Sequence, residues 1–415
     1  MAMPEATLDL ADLSLWADGF PDDVFLDLRR RKPVYHQART AIVDKSVGRE
    51  FWVCTKHAEV TQVHRDHEAF TATDGPLIQE VTFFSAYPAI VNLDPPDHTK
   101  RRRTITKAFT PRAVAKLEEG IRTRAQGMAA SLLDAGGGEF VELAAGLPIS
   151  VIGDIVGIPD DHRPRVFGLI DQVLKLAGVG LATPEGEALG PFLELFQYAS
   201  ELTAQKRAHP VDDIWSTLCT AEIDDESGGK SLLPENELEI FFFILALAGS
   251  DTTRNALCDG IRAFAANPAQ ADRYRRDPDV RARAVEEVLR WSTPIIFWVR
   301  GARRDVVLGD TPIKKGSRVV TMLRSANRDG DVFANPFDFD IARQHNPHVS
   351  FGGGGAHHCL GAMLARAEIR AALDQILLNT TDIGLSEPTV QHPSIISNMT
   401  VYDSLPVSLE LTRQR

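Results

Sequence analysis

The run "ENELEIFFFILALAGSDTTRNALCDGIRAFAA", residues 235–266, constrains the fold more than any other stretch. Pro234 suits the first turn of a helix, and about thirty helical residues span ~45 Å. Residues 240–249 are apolar on every side, which predicts a helix whose middle is buried. This apolar stretch is about half of what a bilayer crossing needs. A protein must therefore be built around the helix, and 415 residues can supply one large, mainly helical domain. Inside the same helix follows "AGSDTT" at 248–253, where glycine and two threonines each weaken a helix interior by a few tenths to about 1 kcal/mol. Packing through small residues and a chemical task both remain open as the reason.

Three- and four-residue apolar spacing predicts further helices at 112–135, 142–157, 189–208, 280–291 and 361–378. Strand signals are short: "REFWVCT" near 49–55, a hairpin-like "VVLGDTPIKKGSRVVTML" near 306–323 turning at Gly309-Asp310, and a closing "VYDSLPVSLEL". The expected class is mainly α with small β-sheets (α+β), and the whole of 1–415 is read as a single domain. The net charge of −12 argues against a nucleic-acid binder. Cys54, Cys219, Cys258 and Cys359 are too scattered for a disulfide framework, and the first thirty residues lack the unbroken apolar run of a signal peptide. A cytoplasmic protein without a membrane anchor is expected.

Residues 351–361, "FGGGGAHHCLG", place a thiol behind four glycines and two histidines. A metal thiolate, a nucleophile, a phosphate cradle and a buried cysteine at a bend are the candidates. A phosphate loop would need Lys-Ser/Thr after the glycines. Zinc would crowd His357, His358 and Cys359 with no distant ligand pair in view. The helix starting after Cys359 directs backbone N–H groups at the sulfur, which favours a thiolate.

Four motifs occur in order: "AGSDTT" at 248–253, "EEVLR" at 286–290, the arginine closing "PFDFDIAR" at 336–343, and "FGGGGAHHCLG". With "NLDPPDHTKRR" at 92–102 and "SANRD" at 325–329, this set resembles the cytochrome P450 family of haem-thiolate monooxygenases over nearly the whole chain. The resemblance implies haem b (iron protoporphyrin IX), held between the long helix and the cysteine loop, with Cys359 as the axial iron ligand and Phe351 packed beside it. The glycines, including Gly361, are expected to let backbone approach the porphyrin where a Cβ would collide. It also implies propionate contacts from His98, Arg102, Arg300 and His357, with His358 an accessory on the proximal surface. Glu287 and Arg290, at i and i+3 on one helix face, are implied to join Arg343 in a structural network. Phe351 stands eight residues before Cys359, one more than the common family spacing. This resembles bacterial members that oxidise steroid side chains and branched lipids.

Asp251 and Thr252 match the family's acid–alcohol couple for delivering protons to haem-bound oxygen, and Gly249 is expected to let the helix open there. The couple favours reductive use of dioxygen over a peroxide-driven or nonhydroxylating oxidase, and over a non-catalytic haem sensor. Electrons are expected from NAD(P)H only indirectly, through a reductase and a ferredoxin-type iron–sulfur protein. Lys100, Arg101, Arg103 and Lys107 form a basic patch suited to an acidic partner. The expected pocket lining is Leu77, Ile78, Val81, Phe83 and Phe84, then Leu245 and Ala248, then Ile295, Ile296, Phe297 and Trp298, and finally Met399 and Val401. It is nearly all apolar, so the expected substrate is an apolar terpenoid, steroid or lipid-like molecule. A monomer is expected.

Overall fold

A computed structural model of the chain describes residues 8–412 apart from 79–88, 110, 180–188, 225–228, 387–389 and 393–397. Near the N-terminus, β1 (Val34–Gln37) and β2 (Phe51–Cys54) precede helix α1 (His57–Arg65) and the short β3 (Phe70–Thr71). Helix α2 (Asp97–Ala108) leads to helix Pro111–Asp134 and to α3 (Phe140–Val156). The long helix α4 (Glu235–Ala266) runs unbroken, followed by α5 (Arg281–Ser292), β4 (Phe297–Ala302), β5 (Arg318–Met322) and α6 (Ala362–Leu377).

The main core forms where α4 is wrapped by α3, helix Leu189–Ala208, α5 and α6. Phe242, Leu257, Cys258 and Phe264 of α4 are fully enclosed there. Each buried side chain of this size contributes about 1.5–3 kcal/mol of transfer free energy, so α4 is held by its neighbours rather than by its own helix propensity. Gly249 does not open the helix. A Cβ there would lie 2.4 Å from Ile152 Cδ1 of α3, so the glycine serves close helix packing.

A second core lies under a five-stranded sheet of order β1-β2-β5-β4-β3, parallel only between β5 and β2. Strand alternation on β4 sends Phe297 and Val299 into the N-terminal cluster with Leu10, Trp16, Phe25 and Ile78. Trp298 packs on the cluster of the opposite face. The expected hairpin exists as Val306–Leu308 paired with Thr311–Ile313 around Gly309. The closing run is not one strand. Val401–Ser404 pairs with Val390–His392, whereas Pro406–Leu411 pairs with Thr380–Leu385 and Gly137–Glu139. Among the described residues no helix is long and apolar enough to cross a membrane.

One buried ionic joint ties α5 to the segment that follows the sheet. Glu287 and Arg290 are both 0% exposed. All five guanidinium donors of Arg290 are used: two reach Glu287 at 2.7 and 2.8 Å, and three reach the carbonyls of Asn327, Pro336 and Asp338. The Glu287 carboxylate also accepts from Arg343 Nε at 3.0 Å, the Asp340 N–H at 2.9 Å and Asn346 Nδ2 at 3.2 Å. Glu287→Ala would leave two buried guanidinium groups without their carboxylate, a loss of about 3–5 kcal/mol. The expected outcome is a chain that accumulates without haem, checked by absorbance of the purified variant. Normal haem content would remove this role.

Candidate active site

Cys359 sits at the N-terminal end of α6, two residues before the helix N-cap Gly361. Protein surrounds it on nearly every side, yet the residue remains accessible. Burial pushes its thiol above the ordinary value. The Gly361 N–H hydrogen bond and the charges of Arg102 and Arg366 pull the other way without prevailing. The helix end and the two arginines thus lower the thiol, while burial outweighs them in the protein alone.

The loop is closed by the Cys359 N–H donating to the Phe351 carbonyl at 3.0 Å. Gly352, Gly353, Gly354 and Gly355 all have positive φ, from 49° to 96°. For three of them a protein contact also excludes a side chain. A Cβ on Gly353 would press on the His64 ring, one on Gly354 on Arg65, and one on Gly355 would lie 2.3 Å from the His64 carbonyl oxygen. Arg65 also donates to the Gly353 carbonyl at 3.1 Å. The C-terminal end of α1 is thus the mould for the loop. His64, fully enclosed and bonded through Nε2 to Thr321 at 3.0 Å, went unrecognised in the sequence. At Gly361, by contrast, a Cβ would meet no protein atom.

The loop's entry hangs on the buried joint. Asn327, whose carbonyl binds Arg290, donates through its side chain to Ser350 and accepts from the Val349 N–H at 2.7 Å. Phe351 lies 4.5 Å from the Arg366 guanidinium, which forks onto Glu286 at 2.7 and 2.9 Å. Burial would raise the Glu286 carboxyl, but Arg366 and His348 hold it down to about 2. Glu286, the first acid of "EEVLR", was a second anchor that the sequence reading passed over.

Beside the cysteine, polar groups gather without partners. His98 is 1% exposed, and neither of its ring nitrogens is hydrogen-bonded; His357 Nε2 is likewise orphaned. Their rings lie 4.2 Å apart. Burial, then Arg102 and Arg300, bring His98 to about 4; burial, then Arg300, His98 and Arg102, bring His357 to about 3. Arg300, buried on β4, donates among the described residues to its neighbour's carbonyl, Val299 O at 2.7 Å, and burial lowers it to about 10. Arg102 donates to the His358 carbonyl at 2.6 Å, so it is the His358 main chain that enters the site. Two imidazoles and a guanidinium buried this way call for anions.

On α4, Leu245, Ala248 and Thr252 stand at i, i+3 and i+7 and are at least partly accessible, as are Leu247, Gly249 and Arg254. The Thr252 hydroxyl donates to the Ala248 carbonyl at 2.8 Å. Asp251 is buried and lies 3.2 Å from Arg254. Below them, Thr253 hydrogen-bonds Glu368 of α6, a carboxyl that burial raises to about 8.

Of the expected pocket residues, Ile295, Trp298, Met399 and Val401 are partly accessible, and Ile295 bridges Met399. Ile78, Ile296 and Phe297 are enclosed in the N-terminal core instead. Val81, Phe83 and Phe84 lie outside the described residues. In the basic patch, Arg101 is taken up by Glu237 at two distances of 2.7 Å, whereas Lys100 and Arg103 are exposed. The Lys107 side chain lies outside the description.

The cytochrome P450 family model matches residues 280–383. A methyl-branched lipid omega-hydroxylase of Mycobacterium tuberculosis is 35% identical over 394 residues, covering 93% of this chain and 91% of that relative. A steroid C26-monooxygenase of Mycolicibacterium smegmatis is 36% identical, covering 90% of this chain and 88% of that relative. A Mycobacterium marinum cytochrome P450 solved in complex with pseudoionone superimposes with a TM-score of 0.87 at 34% identity, covering 98% and 99% of the two chains. The chain belongs to the cytochrome P450 family. It is an oxidoreductase, a monooxygenase. The family implies a haem iron, and this P450's residues fit one. An accessible sulfur, orphaned buried donors suited to two carboxylates, and a glycine that no protein contact requires stand together.

The two glycine settings make opposite predictions. Gly355→Ala adds φ strain of roughly 1–3 kcal/mol to a backbone clash, and is expected to lower the melting temperature of the haem-free protein. Gly361→Ala is expected to leave that melting temperature unchanged and to weaken haem uptake instead. Calorimetry and haem titration separate them, and equal effects on both readouts would sink the distinction.

Proposed function

We propose that this P450 holds haem b through Cys359 and inserts one oxygen atom from dioxygen into an apolar, lipid-like molecule. The observation that carries the reading is the set of orphaned ring nitrogens of His98 and His357, with the buried Arg300 guanidinium bonded to the Val299 carbonyl, beside an accessible cysteine in a chain of this family. His98, Arg102, Arg300 and His357 would hold the two propionates, and Phe351 and Gly361 would flank the ring. When bound, haem supplies the iron on which dioxygen is reduced and split.

The chain's own part is to hold substrate, exclude bulk water and deliver protons. The single Thr252 proton is committed to Ala248 O, so its lone pairs face outward as acceptors that can hold a water. Asp251, close behind in the helix and 3.2 Å from Arg254, is the carboxylate able to recharge that water. Leu245, Ala248, Ile295, Trp298, Met399 and Val401 offer accessible apolar side chains, which suit a hydrocarbon chain or a terpenoid or steroid frame. The names of the relatives, a methyl-branched lipid omega-hydroxylase and a steroid C26-monooxygenase, and the longer spacing from Phe351 to Cys359 support that class. Of the alternatives, peroxide-driven oxidation has no use for the Asp251–Thr252 couple.

Thr252→Ala is expected to keep haem, the strong red shift of the reduced carbon monoxide complex and substrate binding. It should divert most reducing equivalents to peroxide, a rate effect of about 10²–10⁴ on proton delivery. Unchanged product yield per NAD(P)H would end the assignment.

Electrons from NAD(P)H are proposed to arrive through a reductase and a ferredoxin. Lys100 and Arg103, with Thr99, His67, Glu68 and Arg303, line a cleft of about 610 Å³ on the outer side of α2. Its cations favour an acidic partner. Reversing Lys100 and Arg103 to Glu is expected to slow reduction by ferredoxin at least about tenfold at low salt and to flatten its salt dependence. A rate insensitive to both changes would place the partner elsewhere.

A further inference from the structure

The strand Val401–Ser404 is fastened to the long helix by one phenol. Tyr402 is 2% exposed. Its hydroxyl donates to Asp259 Oδ1 at 2.5 Å and accepts from Arg262 Nη1 at 2.7 Å, with the guanidinium 5.7 Å from the ring centroid. Both partners belong to α4. Asp259 follows Thr252 by seven residues, so it shares that helix face about 10 Å further along the axis.

The same segment is fastened at its other end to the sheet. The Ile296 N–H donates to the Asn398 carbonyl at 2.8 Å, and Ile295 bridges Met399. Met399 and Val401 therefore hang between two anchors: the strand that leads into Arg300, and α4 beyond Thr252. Alternation separates their side chains from the fastened ones. Thr400 and Tyr402 are each 2% exposed, whereas Met399 and Val401 are partly accessible. Three extended residues, from 402 back to 399, cover about 10 Å.

We propose that the Tyr402 hydroxyl, acting through Asp259 and Arg262, is a positioning group that sets where Met399 and Val401 stand in the substrate cavity. It thereby determines how bulky a molecule fits there and which of its carbons is presented. The proposal rests on the monooxygenase reading above. The hydroxyl carries the effect because the ring fills its enclosed space with or without it. Two directional hydrogen bonds fix the strand's distance and angle to α4. Without them Arg262, 3.9 Å from Asp259, can close on the carboxylate and leave the strand to settle elsewhere.

Two azoles that ligate haem iron read cavity room without requiring turnover. Imidazole needs little space, and 4-phenylimidazole needs considerably more. Both are titrated spectrally into haem-loaded wild type, Tyr402→Phe, Met399→Ala and the double variant. Tyr402→Phe is expected to keep wild-type haem content and imidazole affinity while changing the 4-phenylimidazole dissociation constant at least ~3-fold, an effect that disappears in the Met399→Ala background. Asp259→Asn, which keeps the side-chain volume, should reproduce the change and stands in if Tyr402→Phe does not fold. An unchanged ratio of the two constants in the single variants overturns the proposal. So does a change that persists undiminished with Met399 removed. Failure of wild type itself to bind either azole would instead overturn the haem reading beneath it, and is recognised by its presence in every protein tested.

Discussion

A carboxylate that no water reaches holds this P450 together. Glu287 receives hydrogen bonds from two arginines, an asparagine and a backbone N–H, while Arg290 spends its remaining donors on three carbonyls. Such a joint gains little net energy over an apolar one, because both charges lose their hydration. What it provides is position. Through the Asn327 side chain it fixes Val349 and Ser350, and the next residue, Phe351, closes the loop on Cys359. Glu286 adds a second, more exposed tie through Arg366 and His348. Two adjacent acids on one helix thus orient the cysteine loop, one from the interior and one from its rim.

The cysteine side and the oxygen side meet across α4 and α6. Thr253 and the protonated Glu368 join the two helices directly beneath the accessible stripe of Leu245, Ala248 and Thr252. Gly249 brings α3 hard against the same turn. The small and polar residues that weaken this helix in isolation therefore divide into two uses. Gly249 and Thr253 serve packing and a buried hydrogen bond, and Thr252 stays accessible. Tertiary contact makes good the helix propensity they forgo.

Much of this was legible in the chain itself. The long helix, the cysteine helix and the i, i+3 placement of Glu287 and Arg290 follow from spacing alone. Arg343, which meets Glu287 from 56 residues away, was found only by likeness to a family, since no periodicity spans that gap. The protein contacts that three of the four glycines make were not legible, because His64 and Arg65 lie nearly 290 residues earlier. Phe297 and Trp298 were both assigned to the pocket, although strand parity sends them to opposite faces. That parity is set by the pairing of β4 with β5, which a single strand does not reveal. The charge of Arg101 vanished from the basic patch for a similar reason, since its partner Glu237 belongs to another helix.

The imidazoles of His98 and His357 and the charge of Arg300 have a consequence beyond binding geometry. They crowd one region with groups whose charged forms burial disfavours, and among the described residues Asp94 is the acid that offsets this in part. A dianionic ligand that enters only the folded form relieves this and adds stability by mass action, about 2.7 kcal/mol at a hundredfold excess over its dissociation constant. Haem is then also a folding partner for this chain, and the supply of haem in the cell becomes a term in how much of the protein survives.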